Sequence, residues 1–337
     1  MVVHIFCLDV LCRLVAFLLV ALIVMSFCPL YVCADTGNVQ GMELAIQTMK
    51  DGFYNFQERI DLTGCGVTPA EIGDLFIFVI KNDPYLFFVD TKLSYYYKSD
   101  GSYFQIAPRY NVIPEEAGKM IKYCRAEVQK IAARADRRMS EVEKALFIYD
   151  ILCAEYRYDS SYINDDMYKF LSTKTGTCQG YTWAYMAVLR ELGMECSYVA
   201  SDSINHIWNM VKIDGEWYHC DATWDDGEVA THRHFLNSDQ KARDMGHRDW
   251  YSAYGQQCTS QKYDNVDFTS MIHKVASGDG NHDGRVDLYD LLLVRRRIAD
   301  QNSTLCEICA DVNADFVCDL TDVELLRQNL IYSSTLP

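Results

Sequence analysis

The residue types that nucleophilic catalysis needs occur in order near the middle of the chain: Cys178, His206 and Asp221. Cys178 is followed by a run, 179–192, in which apolar residues recur at helical spacing before Gly193. This pattern predicts that Cys178 lies in the first turn of a helix. There the unpaired N–H groups and the positive end of the helix dipole favour a thiolate over a thiol, and the thiolate is the form that attacks a carbonyl carbon.

A predicted β-hairpin brings the histidine and the aspartate together. Two runs rich in aromatic and β-branched residues flank Asp214-Gly215, a pair typical of a two-residue hairpin turn. If the residues next to the turn face each other, His206 and Asp221 are diagonal neighbours on one face. Their side chains can close a diagonal of roughly 7–8 Å, so we expect Asp221 to orient His206 toward Cys178. A register slip of one residue would place the two on opposite faces.

Three segments around these residues resemble the core of bacterial transglutaminase-like proteins. They are Gly176-Thr177-Cys178-Gln179-Gly180-Tyr181, His206-Ile207-Trp208-Asn209 and the run from Trp217 to Asp226. The resemblance implies a papain-like α+β fold with a catalytic triad of Cys178, His206 and Asp221. The superfamily includes transamidases, cysteine peptidases and other amidases. We therefore expect a cysteine enzyme that acts on amide bonds of proteins or peptides through a thioester.

Each of these residues also has a structural interpretation. Taken alone, Cys178 is typical of a buried helix cysteine, His206 of a strand histidine and Asp221 of a carboxylate near a turn, but their combination favours catalysis. An alternative of a different class is a non-catalytic adaptor whose cleft binds protein or cell-wall polymer. The backbone N–H of Cys178 is one expected oxyanion donor. No glutamine lies shortly upstream, where papain-like peptidases carry theirs.

The other histidines of this region are expected to be structural or surface residues. They are His219, His232, His234 and His247. Their spacing is not typical of a zinc site, although His232 and His234 on one strand face leave that alternative open.

Composition and the first residues indicate a secreted protein of two or three domains. The chain has 337 residues, half of them hydrophobic, and a formal net charge of -16, which argues against a nucleic-acid partner because polyanions are repelled. Arg13, an apolar run over 14–25 and small residues up to Ala34 are typical of a signal peptide cleaved after Ala34. An uncleaved membrane anchor is the alternative, because the segment approaches the length that spans a bilayer.

The cysteines do not predict a full disulfide framework. Four of the fourteen lie in the predicted signal peptide, which leaves ten, and one of these is the proposed nucleophile. The other nine are an odd number, so they cannot all form disulfides with one another even though secretion permits disulfides. Cys306 and Cys309 form a C-x-x-C without a second pair at zinc-finger spacing, which favours a local disulfide or free thiols over a metal site.

The region before the catalytic segment, 35–113, is predicted to be a small α+β unit. Its expected elements are a helix over 41–49, a strand over 54–62, a helix over 72–80 and a hairpin of 86–97 with 103–106. Its many tyrosines and phenylalanines are expected to form sheet core, with a binding face as the alternative. Helices over 114–135 and from a capping box at Ser140 to about Ala154 should then pack beside the helix of Cys178.

A repeat near the C-terminus places oxygen-bearing residues at the spacing of an EF-hand calcium loop, over 279–290 and again over 311–322. The predicted ligands are Asp279, Asn281, Asp283, Arg285 (backbone carbonyl), Asp287 and Asp290, then Asp311, Asn313, Asp315, Val317 (backbone carbonyl), Asp319 and Asp322. An apolar helix is predicted after each loop. We therefore expect two bound Ca²⁺ ions, the second more weakly held because Phe316 stands where a glycine eases the turn.

This duplicated loop and helix resembles a type I dockerin, which implies binding to a cohesin module of a cellulosome scaffold. The predicted organisation is a signal peptide, 1–34; an N-terminal α+β region, 35–113; a papain-like, transglutaminase-like catalytic domain, 114–265; a linker, 266–277; and a small all-α calcium-binding dockerin, 278–337. The overall class is α+β. The expected partners are a cohesin and a protein or peptide substrate, with a membrane only if the first segment is uncleaved.

Overall fold

The computed structural model describes residues 36–135, 139–161, 165–226, 231–268, 278, 286–299, 312 and 318–333. The predicted signal peptide and most of the predicted linker lie outside these ranges. So do Cys306, Cys309 and the predicted calcium ligands Asp279, Asn281, Asp283, Arg285, Asp311, Asn313, Asp315 and Val317. Within the described residues, no helix combines the length and the apolar character that a membrane crossing requires.

The N-terminal region packs two helices on a three-stranded antiparallel sheet. Its elements are α1 (Thr36–Tyr54), β1 (Ile60–Asp61), α2 (Ile72–Asn82), β2 (Val89–Tyr97) and β3 (Phe104–Tyr110). The strand order is β1-β3-β2, and β2 and β3 form the predicted hairpin. Apolar residues of the helices and the sheet, among them Phe53, Phe76 and Phe88, form a hydrophobic core that Ala117 of the following helix completes.

The strand predicted over 54–62 is wrong. Instead α1 continues to Tyr54, a turn follows, and only the two residues of β1 pair with β3. The helix continues because Ala45, Met49 and Phe53 recur every four residues and are all buried on one helix face.

The prediction that aromatic residues here form sheet core is wrong for the end of β2. Tyr95, Tyr96 and Tyr97 are exposed over 42%, 44% and 52% of their surface. They are exposed because β2 is an outer strand of its sheet. On the inner strand β3, by contrast, Phe104 and Ile106 are buried.

Four helices build the region around Cys178. They are α3 (Pro114–Ala132), α4 (Glu141–Glu155), α5 (Met167–Thr173) and α6 (Cys178–Glu191), and short parallel strands β4 (Arg157–Tyr158) and β5 (Thr175–Gly176) flank α5. The predicted capping box starts α4, since Ser140 and Glu143 each accept the other's backbone N–H. The apolar face predicted for α6 is buried in the largest hydrophobic core of the described residues.

A glycine lets α5 and α6 approach closely next to Cys178. A Cβ added to Gly180 would lie 2.7 Å from the ring of Phe170. That ring stacks on Tyr156 with centroids 4.5 Å apart and contacts Tyr181 at 4.7 Å. Phe170 is therefore held in place, and a larger residue at position 180 would push against it.

A four-stranded antiparallel sheet packs against α6. Its strands are β6 (Cys196–Ser201), β7 (His206–Ile213), β8 (Glu216–Cys220) and β9 (Tyr251–Ser252), in the order β8-β7-β6-β9. Ile213 pairs with Glu216, so the predicted register of the hairpin is confirmed. The φ angles of 51° at Asp214 and 87° at Gly215 are those of a type I′ turn.

Two helices follow the acidic repeats, as predicted. They are α9 (Leu288–Ala299) and α10 (Leu320–Ser333), while α7 (Ala222–Asp225) and α8 (Asp239–Asp244) belong to the preceding region. Leu291 and Val294 of α9 pack with Leu326 of α10 in a small core of their own. The described residues of the C-terminal part therefore contribute only a small apolar core.

Candidate active site

Cys178 is the first residue of α6, as predicted. The preceding Thr177 makes no side-chain hydrogen bond to the first turn, so it does not compete for the N–H groups there. The thiol is half-buried against Tyr198, Ala200 and Ile207. The cysteine therefore combines a helix N-terminus with access from solvent, a setting in which catalytic cysteines are found.

Hydrogen bonds tie the start of α6 to β7, the strand that carries His206. The Thr182 hydroxyl lies 2.7 Å from the carbonyl oxygen of Cys178 and 3.0 Å from that of Ile207. The Asn209 side chain donates an N–H to the Thr182 carbonyl at 3.0 Å. These buried bonds fix the thiol relative to the histidine strand.

His206 and Asp221 meet where the hairpin strands end. His206 Nε2 lies 2.7 Å from Asp221 Oδ2, so the predicted contact is confirmed. The other oxygen, Oδ1, accepts the backbone N–H groups of Thr223 at 3.1 Å and Trp224 at 3.3 Å, because Asp221 caps α7. The carboxylate is thus held at both oxygens in a buried position.

The charges of this group support one another. Burial disfavours the imidazolium of His206, but the charge and hydrogen bond of Asp221, with a further hydrogen bond to Cys178, raise the pKa of His206 to about 10. Burial also opposes the charge of Asp221, but the bonds from His206 and His247 hold the pKa of that carboxyl well below its usual range. At neutral pH the histidine is therefore protonated and the aspartate ionised. Because Nε2 is engaged by Asp221, Nδ1 is the nitrogen left for the thiol.

Two tryptophan rings lie nearly parallel to the imidazole. The centroid of Trp208 is 5.4 Å from that of His206 with planes 15° apart, and Trp224 lies at 5.2 Å and 19°. Trp208 is buried, whereas Trp224 is 39% exposed. The aromatic faces restrict the ring of His206 and favour its positive charge.

His247 belongs to this site, and the sequence patterns did not predict it. Its Nε2 lies 2.8 Å from Asp221 Oδ2, the same oxygen that contacts His206. His247 comes from the irregular loop after α8, where neither periodicity nor a turn signal marks a functional position. The expectation of a merely structural or surface residue therefore misses a direct contact with the proposed triad.

His219 is also buried, and it acts on the site through Trp208. Its Nδ1 accepts the indole N–H of Trp208 at 3.1 Å, and its Nε2 lies 2.9 Å from Asp239 Oδ1. Burial lowers the pKa of His219 although Asp239 opposes that effect. The ring is therefore neutral, with its proton on Nε2, and holds the tryptophan beside His206.

The zinc alternative for His232 and His234 loses its premise, because neither residue lies on a strand. His232 has a φ of 54°, and its Nε2 lies 2.5 Å from the buried Asp150. His234 packs edge-on against Trp224. Both histidines serve the packing around the site.

A second buried carboxylate supports the backbone that carries Asp221. The Tyr149 hydroxyl lies 2.7 Å from the Asp221 carbonyl oxygen and 2.7 Å from Asp225 Oδ2. Asp225 also accepts the hydroxyl of Thr231 at 2.5 Å and the backbone N–H of His234 at 2.9 Å. These bonds fix α7 and the turn that precedes it.

Two groups among the described residues hold metal-ligating atoms within 4.8 Å of one another. They are His206 with Asp221 and His247, and His219 with Asp239 and Cys258. In both groups the imidazole nitrogens that face the carboxylate already hydrogen-bond it. Hydrogen bonding accounts for both clusters without a metal.

The described parts of the two acidic repeats make the same hydrogen bonds. Asp290 accepts the backbone N–H of Asp287 at 2.8 Å, and Asp322 accepts that of Asp319 at 2.8 Å. Both Asp290 and Asp322, the last residues of the two loops, are fully buried. A buried carboxylate needs a compensating charge, so these carboxylate oxygens fit the role of calcium ligands.

Comparison with known protein families agrees with the description of the site around Cys178 and of the acidic repeats. Residues 129–222 match the transglutaminase-like superfamily, and residues 277–331 match the type I dockerin domain. The chain carries a transglutaminase-like domain and a type I dockerin. The mixed helices and strands around Cys178 are thus those of the transglutaminase-like, papain-like fold.

Curated relatives of the transglutaminase-like domain are themselves larger proteins. The kyphoscoliosis peptidase of Mus musculus is 27% identical over 112 residues, and that of Homo sapiens is 28% identical over 97 residues. The matches cover 27% and 25% of this chain, and the chain spans 17% and 14% of the length of those relatives.

Solved structures resemble the chain over part of its length. A transglutaminase crystal structure is 13% identical with a TM-score of 0.29, covering 40% of this chain and 44% of that one. A putative cysteine protease from Cytophaga hutchinsonii is 16% identical with a TM-score of 0.26, covering 48% and 72%.

The dockerin match indicates a cofactor and a type of partner for this chain. Type I dockerin domains bind calcium and imply a cohesin partner, and they are typical of extracellular, cellulosome-associated proteins. The transglutaminase-like superfamily includes transglutaminases and cysteine peptidases. Together the two domains indicate a cellulosome-associated protein.

Proposed function

We propose that this chain is a secreted cysteine enzyme that acts on amide bonds of proteins or peptides by acyl transfer, with Cys178, His206 and Asp221 as its triad. The observation that carries the proposal is the 2.7 Å contact between His206 and the buried Asp221, beside a half-exposed thiol at a helix N-terminus. A purely structural role could explain each of these three residues taken singly, but it does not explain their arrangement together.

In the proposed reaction the Cys178 thiolate attacks the amide carbonyl carbon, and the backbone N–H of Cys178 donates to the developing oxyanion. His206 then gives its proton to the departing amine, the C–N bond breaks, and a thioester remains. The neutral His206 next takes a proton from water or from an incoming amine, which attacks the thioester and releases the thiolate. Asp221 keeps the imidazole oriented through both steps.

The acceptor decides between a peptidase or amidase and a transglutaminase. Attack by water gives hydrolysis, and attack by a primary amine gives transamidation. Both use the same three residues in the same roles. A peptide substrate offered with and without an amine therefore separates the two activities.

We further propose the organisation that places this enzyme on a scaffold. A signal peptide over 1–34 directs secretion, the N-terminal region covers 35–113 and the catalytic domain 114–265, and a linker over 266–277 leads to the dockerin at 278–337. The dockerin binds two Ca²⁺ ions and a cohesin. The repetition of the Asp287–Asp290 hydrogen bond in Asp319–Asp322 supports a second site like the first.

The proposed function is tested by the reactivity of the thiol. Iodoacetamide near pH 7 should alkylate Cys178 much faster than Cys318, which is equally half-buried and serves as the internal control. His206→Ala should slow this labelling strongly and Asp221→Ala less, whereas Asp74→Ala, which removes an exposed carboxylate on α2, should not. Mass spectrometry of tryptic peptides measures each rate.

Activity should follow the same order. Glutamine-containing peptides incubated with a primary amine should show either amine incorporation or plain hydrolysis, and Cys178→Ala should abolish both. If Cys178 reacts no faster than Cys318 and its alanine variant keeps full activity, the triad is not catalytic. The domain would then be an adaptor that only binds protein or cell-wall polymer.

A further inference from the structure

The Asp221 carboxylate has a second imidazole partner outside the proposed triad. His247 Nε2 lies 2.8 Å from Oδ2, and His206 Nε2 lies 2.7 Å from the same atom. Both donors come from different parts of the fold: His206 begins β7, and His247 lies in the loop after α8. The side chains of His247 and Asp221 are exposed over only 2% and 1% of their surface.

The hydrogen bonding fixes the form of His247. An ionised carboxylate only accepts hydrogen bonds, so the His247 Nε2 that faces Asp221 must carry a hydrogen. Its Nδ1 is buried and has no hydrogen-bond partner among the described residues. Nε2 is therefore the hydrogen-bond donor that His247 presents to the carboxylate.

Aromatic packing holds this ring in place. The centroid of Trp224 lies 4.1 Å from that of His247, and Trp208 lies 4.5 Å away. Trp208 is itself held by its indole hydrogen bond to His219. His247 is therefore a rigid donor aimed at the carboxylate.

We propose that His247 is a positioning residue for the triad: its N–H fixes the Asp221 carboxylate so that Oδ2 faces His206. This inference rests on the proposed function, because the effect of His247 reaches the thiol only through Asp221 and His206. The backbone N–H groups of Thr223 and Trp224 hold Oδ1, and His247 supplies the matching restraint at Oδ2. Without it, the carboxylate can rotate about its bond and the imidazolium loses its orientation toward Cys178.

The test separates the hydrogen bond of His247 from its bulk. His247→Phe keeps an aromatic ring against Trp224 but has no donor. His247→Gln and His247→Met form a matched pair of similar length, of which only glutamine has an N–H for Asp221. We expect His247→Phe and His247→Met to slow alkylation of Cys178 by iodoacetamide about tenfold, as the loss of one charge-assisted hydrogen bond would. His247→Gln should recover most of the rate.

A second readout reports the imidazolium itself. Iodoacetate is an anion and iodoacetamide is neutral, so an imidazolium held beside the thiolate accelerates iodoacetate relative to iodoacetamide. The ratio of the two rates should fall in His247→Met and stay near the wild-type ratio in His247→Gln. A general loosening of the fold would not separate the two variants in this way.

The outcomes distinguish this inference from the proposed function. If the wild-type Cys178 reacts no faster than Cys318, the proposed function fails. If the wild-type thiol is reactive but His247→Gln and His247→Met, both folded by circular dichroism, show equal rates and ratios, the positioning role of His247 is wrong. Should His247→Phe fail to fold, the glutamine and methionine pair still decides the matter.

Discussion

At the scale of single residues, the candidate site depends on one buried carboxylate. Asp221 is ionised in the interior because two imidazole N–H groups and two backbone N–H groups donate to it. A buried charge that loses one partner while the others remain destabilises the fold, so these donors are expected to act together.

The pH dependence of the site follows from the pKa of His206. In the folded chain the pKa of His206 is raised to about 10 from its ordinary 6.5. A raised pKa means that the protonated ring stabilises the fold fully below pH 6.5, and that this contribution is lost as pH rises through about 10. Urea unfolding from pH 6 to 10.5 should therefore show wild type losing stability relative to His206→Gln.

Catalysis should lose its general acid over the same range. If amide turnover needs the imidazolium of His206 to protonate the leaving amine, the rate should fall as pH rises through about 10. A catalytic rate that already falls near pH 6.5 would contradict the raised pKa of His206.

For Asp221 the effect of pH on stability has the opposite sign, because the pKa of that carboxyl is depressed. Its contribution to stability is present above its ordinary pKa of 3.8 and is lost as pH falls below that value.

At the scale of elements, the contact between α5 and α6 needs a glycine. Gly180→Ala should destabilise the fold by about 1–3 kcal/mol, the usual cost of overpacking, because its Cβ would meet the Phe170 ring at 2.7 Å. Gly73→Ala is the control: it lies in α2 with nothing within 4 Å of the added Cβ. It should stabilise by roughly 0.5–1 kcal/mol, since alanine is the better helix former.

Urea unfolding followed by far-ultraviolet circular dichroism measures both variants. Equal stabilities of Gly180→Ala and Gly73→Ala would show that α5 can move away from α6 without cost. A loss confined to Gly180→Ala would locate the tight contact beside the thiol.

The elements also show which features the sequence can predict. The hairpin register was predictable because Asp214 and Gly215 both adopt the positive φ of a type I′ turn, and the turn determines every pair up to Asn209 and Cys220. The start of α6 was predictable from its apolar spacing. Local patterns of this kind depend only on near neighbours in the chain.

Contacts from irregular segments were not predictable in this way. His247 meets Asp221 only because the loop after α8 folds back over the hairpin, and the residues around it have no period that would place it there. For the exposed Tyr95 and its neighbours, β-propensity predicts sheet core because it does not say whether a strand is inner or outer. Both features depend on tertiary arrangement.

At the scale of the whole molecule, the N-terminal region is attached to the transglutaminase-like domain through the back of α6. Arg190 donates to the backbone oxygen of Asn82 at 2.6 Å and to its side-chain oxygen at 2.9 Å. The indole of Trp183 donates to the carbonyl oxygen of Lys81 at 3.3 Å. Because the same helix begins at Cys178, the N-terminal region stabilises the helix that carries the nucleophile.

The dockerin differs from the rest of the molecule in what stabilises it. Three fully or nearly buried apolar side chains form the centre of its described core, whereas each repeat buries a carboxylate. With so little apolar surface buried, folding should depend on calcium binding, as in other small metal-dependent domains.

Calcium should therefore fold the dockerin within the full chain. Adding Ca²⁺ to chelator-treated protein should increase the helical circular dichroism signal and release or absorb heat corresponding to two ions.

Asp290→Ala should remove the first calcium site and Asp322→Ala the second, because each substitution deletes a buried ligand. Glu324→Gln changes an exposed carboxylate on α10 that pairs with Arg327, so it is the matched control and should bind both ions. Cohesin binding should require calcium in the wild type and in this control, whereas equal helicity in excess chelator with no heat of binding would contradict the calcium sites.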